Sequence, residues 1–149
     1  MPELLNSNLP DDLTMSFEEL DHTADVLMRV RGATMSELFS DAGRAMFHVM
    51  YGPCEDRGIM RQITLDAEDL ESLLIDYLSE LLFIADVENI VLCTFAVDLQ
   101  GTRLSVVARG EPFDPARHAG GALIKGISYF DLAIVKEKDA YVVDIIFDI

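Results

Sequence analysis

The sequence contains few basic residues, which limits the classes of ligand that it can bind. Only 11 Lys and Arg stand against 27 Asp and Glu, so the formal net charge is −16. Sequence-independent binding to DNA or RNA depends on Lys and Arg side chains that neutralise phosphates. We therefore expect no strong direct nucleic-acid binding, whereas the acidic field favours cations or a basic partner protein. An acidic surface also keeps a protein soluble, so charge alone leaves both interpretations open.

Cysteines and long apolar segments are also scarce. The two cysteines, Cys54 and Cys93, form no C-x-x-C pair and have no histidine at zinc-finger spacing. This pattern predicts two free thiols in a reducing compartment. No apolar run approaches the roughly 20 residues that span a bilayer, and the N-terminus lacks the charged and apolar regions of a signal peptide. These absences together predict a cytoplasmic protein that does not enter a membrane.

Familiar catalytic and nucleotide-binding motifs are missing as well. The sequence has no G-x-G-x-x-G, P-loop, G-x-S-x-G or H-E-x-x-H motif. The histidines, His22, His48 and His118, lie far apart, and His48 is predicted to lie on a helix surface. No sequence motif therefore points directly to an enzyme.

The sequence does contain regular hydrophobic periodicity. Residues 1–15 lack it and predict a flexible lead-in, whereas residues 16–149 predict a single domain. Thr34 and Glu37 have the spacing of a capping box, and an apolar stripe follows at helical spacing. A second amphipathic helix is expected to begin near Asp66, and six or seven strands occupy the remaining segments. This pattern predicts an α+β domain in which both helices pack on one face of a mixed or antiparallel sheet.

The segment "DHTAD" is the first candidate site. It places Asp21, His22 and Asp25 directly before an alternating strand. Short polar segments in this position are commonly turns in which Asp21 or Thr23 bonds to nearby backbone N–H groups. His22 could instead ligate a metal or orient Asp21 or Asp25 by hydrogen bonding. Glu19 is a further acid in this region.

The C-terminal segment "IIFDI" is the second candidate site. Here an apolar strand ends in Asp148 and Ile149, whose main-chain carboxylate adds another anion. If the strand after Asp25 pairs with this last strand, the acids meet. Two carboxylates about 4 Å apart repel by about 4 kcal/mol at an effective dielectric of 20. A divalent cation with a preference for oxygen ligands, or a nearby lysine, would remove that repulsion, while the lack of a thiolate disfavours zinc.

The motifs together resemble the archease family. The similarity covers residues 16–149 and rests on "FEELDHTADVLMRV", "DLESLLIDYLSELLFIAD", "GEPFDPARH", "IKGISY" and the final "FDI". The family's strand motif usually reads more like V-K-A-I-T-Y-H. Lys125 is kept, but Gly126 and Phe130 differ, and the missing histidine at Phe130 leaves the role of that position open.

The resemblance implies an accessory protein rather than an enzyme. Archeases assist the GTP-dependent RNA ligase that joins tRNA exon halves, and they promote its guanylylation and multiple turnover in tRNA splicing and RNA repair. The family site implies a divalent metal ion, Ca²⁺ or Mg²⁺/Mn²⁺, held by Asp25, Asp148 and Ile149. Lys125 would be a further functional residue, and His22 and Asp21 are candidates for partner or phosphate contacts.

Two other functions fit part of the pattern. The first is a chaperone-like modulator of tRNA-modifying enzymes such as methyltransferases, which would use the acidic surface as a whole. The second is a small metal-dependent hydrolase that uses Asp21, His22 and Asp25, which would need a substrate pocket and a positioned base. Glu111 is an additional acid without a specific role in any of these interpretations.

Overall fold

The fold was obtained as a computed structural model, which describes residues 17–22 and 25–149. The predicted lead-in, residues 1–15, lies outside the described residues. No helix in the described part of the chain is both long and apolar enough to cross a membrane. The elements, in chain order, are β1 (Phe17–His22), β2 (Asp25–Gly32), α1 (Met35–Tyr51), β3 (Ile59–Asp66), α2 (Leu70–Glu88), β4 (Ile90–Gln100), β5 (Arg103–Pro112), α3 (Pro115–His118), β6 (Gly126–Ile127), β7 (Val135–Lys136) and β8 (Tyr141–Asp148).

The strands form two antiparallel sheets. In the larger sheet the order is β1-β2-β8-β6, and β7 also pairs with β8. The smaller sheet has the order β3-β5-β4, and its β4–β5 hairpin turns at Gly101. The predicted α+β architecture is confirmed, with the strands divided between two sheets. The division arises because β8 returns to pair with β2, whereas β3 to β5 pair only with one another.

Helix α1 begins and ends where the sequence indicates. The backbone N–H of Glu37 donates to Thr34 Oγ1 at 3.1 Å, and the Glu37 carboxylate accepts from the Ala33 N–H at 3.0 Å. Gly52 ends the helix with a positive φ of 74°. One face of α1 is buried and packs on β2 and β4, so this helix covers both sheets.

Helix α2 begins later than expected. The chain remains extended through Asp66, which pairs with Arg103 on β5. Asp69 is the N-cap, and its Oδ1 accepts from the Ser72 N–H at 2.7 Å. The segment "DAED" offers more than one acidic N-cap, and the pairing of β3 with β5 determines which residue is used.

The described part of the core contains a buried hydroxyl group, on Tyr77, that is not hydrogen-bonded. The Tyr77 ring is fully buried and stacks on Phe39 at a centroid distance of 5.8 Å. Its hydroxyl has no hydrogen-bond partner among the described residues. Gly43 on α1 faces this hydroxyl, because an added Cβ there would lie 2.9 Å from the Tyr77 oxygen and 3.2 Å from the Phe95 ring. The close packing of Tyr77 and Phe95 against α1 therefore requires glycine at position 43.

We expect Tyr77→Phe to raise the free energy of unfolding by about 1 kcal/mol, because it removes a buried hydroxyl without a partner. Gly43→Ala should lower it by about 1 to 3 kcal/mol through overpacking. The loss should be smaller in the Tyr77→Phe background, since the closest clash is then absent. Urea denaturation of the four proteins measures this coupling. Additive effects would show that the hydroxyl does not restrict Gly43.

Candidate functional site

Strand pairing places two of the predicted acids opposite each other. In the β2–β8 pair, Asp25 is the register partner of Asp148. Directly opposed residues in an antiparallel pair have Cβ atoms about 4.5 to 5.5 Å apart, with their side chains on the same face. Both acids are exposed, whereas their chain neighbours Val26 and Phe147 are buried in the core. The acids therefore lie on the sheet face turned away from the core.

On its other side Asp148 is next to β6. Gly126 is its register partner there, and the Lys125 N–H donates to the Asp148 main-chain oxygen at 2.7 Å. A Cβ at Gly126 would lie 3.8 Å from Asp148 Oδ2, an ordinary contact distance. Alanine, the usual family residue, would therefore fit at Gly126. The exposed Lys125 lies at the same end of the sheet as Asp25.

Ile149 follows Asp148 and is half-buried. Its side chain packs against the hydrophobic core, so this residue is held in place by apolar contact. We call Asp25, Asp148 and Ile149 the acidic tip. The tip is built by elements from both ends of the described chain, because β2 and β8 are neighbours only in the folded sheet.

Asp21 and His22 belong to a strand rather than to a turn. They lie in β1, where Asp21 pairs with Leu27 and His22 pairs with Val26, and the register is irregular between Glu19 and Asp21. The periodicity did not indicate β1. The backbone of His22 is at the same end of the sheet as the acidic tip. Thr23, predicted as a turn residue, lies outside the described residues.

A second polar cluster surrounds Glu111, which is only 1% exposed. Its carboxylate accepts hydrogen bonds from both terminal nitrogens of Arg117, from the Glu55 N–H at 2.8 Å and from His118 at 3.1 Å. Arg57 Nε lies 3.3 Å from it. The hydrogen bonds from Arg117, with those from Glu55 and His118, lower the pKa of Glu111 to about 2 against the opposing effect of burial. The "GEPFDPARH" motif thus places a buried carboxylate, that of Glu111, in an ion-pair network with more exposed arginines.

The hydrogen bonds around His118 define its tautomer. The Asp114 N–H donates to His118 Nδ1 at 2.9 Å, so this nitrogen is an acceptor. The proton of a neutral ring then resides on Nε2, which donates to Glu111. Asp114 also caps α3, accepting from the Ala116 N–H at 3.0 Å. The "GEPFDPARH" segment therefore contains a short helix, and "DPxxH" was the missed sequence signal.

The prediction of two free thiols is wrong. Cys54 and Cys93 form a disulfide with a Cα–Cα distance of 5.5 Å, so they are not free thiols. The register of β4 against β5 shifts between Leu92 and Thr94, which leaves Cys93 in a bulge without a partner. A bulge of this kind redirects a side chain. Because the bulge and the long-range approach of Cys54 are tertiary features, cysteine spacing could not reveal them.

Because the pKa of Glu111 is lowered in the folded protein, the free energy of unfolding should vary with pH in the acid range. The ordinary pKa is 4.5 and the folded value is about 2, so between them the unfolded chain binds more protons. This contribution is therefore complete above the ordinary pKa and is lost as pH falls through the folded pKa. Urea midpoints measured from about pH 6 to about pH 2 should fall more steeply for the wild-type protein than for Glu111→Gln. Parallel curves would contradict this assignment.

The remaining sequence candidates are on the surface. His48 is exposed on α1, and its ring contacts Phe17 at a centroid distance of 5.6 Å, as predicted for a helix-surface histidine. Phe130, which replaces the family histidine, is 63% exposed. Its backbone N–H donates to Ser128 Oγ at 3.1 Å. A large apolar side chain is therefore exposed a few residues after Lys125.

Comparisons with known sequences agree on one family. The chain matches the model of the Archease protein family over residues 17–149. It is 36% identical over 139 residues to Protein archease of Methanosarcina acetivorans, covering 89% of this chain and 95% of that protein. It is 35% identical over 145 residues to Protein archease-like of Drosophila melanogaster, covering 91% of each.

Solved structures give the same result for the fold. A solution structure of a Methanobacterium thermoautotrophicum protein superposes with a TM-score of 0.78 at 31% identity, covering 90% of this chain and 99% of that one. The crystal structure of "an archease, possible chaperone" from Thermotoga maritima gives a TM-score of 0.64 at 19% identity, covering 89% and 96%. At that identity the second likeness supports the fold alone.

Proposed function

Because this chain belongs to the archease protein family, we propose that it is an accessory protein that activates a GTP-dependent RNA ligase. In this proposal it promotes guanylylation of the ligase, and therefore multiple turnover, in tRNA splicing and RNA repair. The chain itself catalyses no reaction. The observation that carries the proposal is the register of β2 and β8, which sets Asp25 opposite Asp148 on an exposed surface.

The acidic tip fits a divalent metal ion that prefers oxygen ligands. Asp25 and Asp148 offer carboxylate oxygens from adjacent strands, and a main-chain oxygen of Ile149, the next residue, would add a third ligand group. Ca²⁺, Mg²⁺ and Mn²⁺ accept such ligands, whereas the tip offers no thiolate or imidazole from these residues. A bound ion would supply positive charge for the phosphate groups of the ligase reaction.

The charge distribution supports a protein partner rather than RNA. With a formal net charge of −16 the chain should repel free tRNA but approach a ligase with a basic, RNA-binding surface. Lys125 is the exposed basic residue that β6 brings to the tip. We assign it to phosphate contact or to balancing the acids, with Asp21 and His22 as further contacts from β1.

The test is a multiple-turnover ligation assay with the ligase of the same host. With substrate in large excess, the ligase alone should stop after about one turnover, and addition of this chain should restore continuous product formation. Single-turnover joining by pre-guanylylated ligase should not change, because that step follows guanylylation. If the chain leaves multiple-turnover ligation unchanged, the proposed function is wrong.

A second function is favoured by one observation. The segment that carries Lys125 also exposes three large apolar side chains, those of Leu123, Tyr129 and Phe130. Such a surface suits a chaperone-like modulator of tRNA-modifying enzymes such as methyltransferases. Affinity capture from the host distinguishes the two functions. Recovery of the ligase supports the first, and recovery of a methyltransferase without the ligase supports the second.

A hydrolase has less support. Hydrolysis at Asp25 would need a positioned base in a site that excludes water. Asp25 and Asp148 are both exposed. Turnover of a phosphoester by the isolated chain, lost on addition of a chelator, would nevertheless establish that activity.

A further inference from the structure

We propose that Cys54, Cys93 and Glu111 form a zinc site when the disulfide is reduced. The site is distant in the fold from the acidic tip, because it joins the segment after α1 to the β4–β5 hairpin of the smaller sheet. The same two sulfurs would therefore serve as a disulfide under oxidising conditions and as metal ligands under reducing conditions.

The geometry of the cluster carries this inference. One ligand atom from each of the three residues lies within 4.8 Å of the others. Around a tetrahedral zinc ion with Zn–S of about 2.3 Å, ligand atoms are roughly 3.8 Å apart. The sulfurs are closer than this only while they are bonded, and Cys93 lies at the bulge, where it has no ladder partner on β5. Both cysteines are half-buried rather than fully enclosed in the core.

Hydrogen bonds from neighbouring residues hold the Glu111 carboxylate in a fixed orientation, as a metal ligand requires. Ligating carboxylates in metal sites are themselves hydrogen-bonded, which fixes their orientation. His118 and Arg117 supply such bonds to Glu111, and His118 is held in turn by the Asp114 N–H. Arg57, at 3.3 Å and more exposed, is the partner that can withdraw from Glu111 to admit the ion.

A dithiol reductant converts the Cys54–Cys93 disulfide into the two thiols that the zinc site needs. The dithiol transfers two electrons and two protons to the Cys54–Cys93 disulfide, giving two thiols and a cyclic disulfide. Zn²⁺ then binds the two thiolates and releases two protons to solvent. With Glu111 ionised, the three ligands carry three negative charges, which Zn²⁺ and Arg117 together offset. A fourth position remains for water.

The experiment uses the full chain and Co²⁺ as a spectroscopic probe for the zinc site. After reduction and anaerobic desalting, one equivalent of Co²⁺ should give an intense thiolate-to-cobalt charge-transfer band and tetrahedral visible bands. Zn²⁺ should abolish both by displacement. The oxidised chain should show neither, because disulfide sulfur is a poor ligand. Cys54→Ser and Cys93→Ser should each remove the charge-transfer intensity that depends on both sulfurs.

Further variants test the carboxylate ligand and separate this site from the tip. His118→Gln should weaken Co²⁺ binding by about 10- to 100-fold through loss of support for Glu111. Asp25→Asn combined with Asp148→Asn should leave the bands unchanged, so this proposal does not depend on the proposed function. A reduced wild-type chain with only the weak octahedral spectrum of Cys54→Ser would overturn the site. Glu111→Gln that folds and binds Co²⁺ with wild-type affinity would overturn the assignment of Glu111 as a ligand.

Discussion

Asp25→Asn and Asp148→Asn should each abolish the stimulation of ligase turnover while leaving the fold intact. Both acids are exposed on the side of the larger sheet turned away from the core, so neither contributes to packing. Asparagine keeps the size of the side chain but removes the negative charge that holds a divalent ion. We expect the rate of multiple-turnover ligation to fall to that of the ligase alone, measured with saturating substrate and GTP.

Asp139→Asn is the matched control for both variants. Asp139 is exposed and precedes β8, so it lies at the opposite end of the strand that carries Asp148. It removes the same unit of charge from the same sheet. If Asp139→Asn impairs stimulation as strongly as Asp148→Asn, overall charge is responsible and the chaperone-like function is favoured. Far-ultraviolet circular dichroism and urea midpoints of all three variants verify folding.

Glu111→Ala should produce the largest loss of stability, about 3 to 5 kcal/mol in the free energy of unfolding. The substitution leaves Arg117 without the carboxylate that it contacts with two nitrogens, and it removes the partner of the buried His118. It also releases the Glu55 N–H, which fixes the segment after α1 against β5. Removing a buried carboxylate that several donors contact costs far more than removing one member of an exposed ion pair.

Glu88→Ala provides the comparison for Glu111→Ala. Glu88 pairs with Arg61 at 2.6 Å, but both side chains are more than one-third exposed. An exposed ion pair of this kind typically contributes about 0.2 to 1 kcal/mol. Urea denaturation at neutral pH, with the disulfide intact in both variants, measures the difference. Equal losses for Glu88→Ala and Glu111→Ala would show that burial does not strengthen the Glu111 network.

The sequence correctly predicted features that depend only on interactions between residues close together in the chain. The capping residues Thr34 and Glu37 depend on neighbours within a few positions, and this helix start was predicted. The start of α2 was not, because the pairing of Asp66 with Arg103 keeps the chain extended beyond the first acidic residues. Strand β1 was missed because its segment "FEELDH" does not alternate regularly between polar and apolar residues.

For the candidate sites too, the sequence indicated some residues, whereas others could be recognised only in the folded structure. The sequence indicated that Asp25 and Asp148 would meet on the condition that the strand after Asp25 pairs with the last strand. The register that sets them opposite each other is a property of the folded sheet. Cys54 and Cys93 were predicted incorrectly as free thiols, since Cys93, in the bulge of β4, meets Cys54 only in the folded structure. The sequence assigned no role to Glu111, because the side chains of α3 that contact it come together with it only when the chain folds.

Diffraction from crystals soaked with Mn²⁺ tests the acidic tip most directly. Anomalous scattering locates the ion without assumptions about its ligands. The proposal predicts one peak within coordination distance of the Asp25 and Asp148 carboxylates and a main-chain oxygen of Ile149, absent from crystals of Asp148→Asn. A peak that persists in Asp148→Asn, or full occupancy at another site with none at the tip, would contradict it.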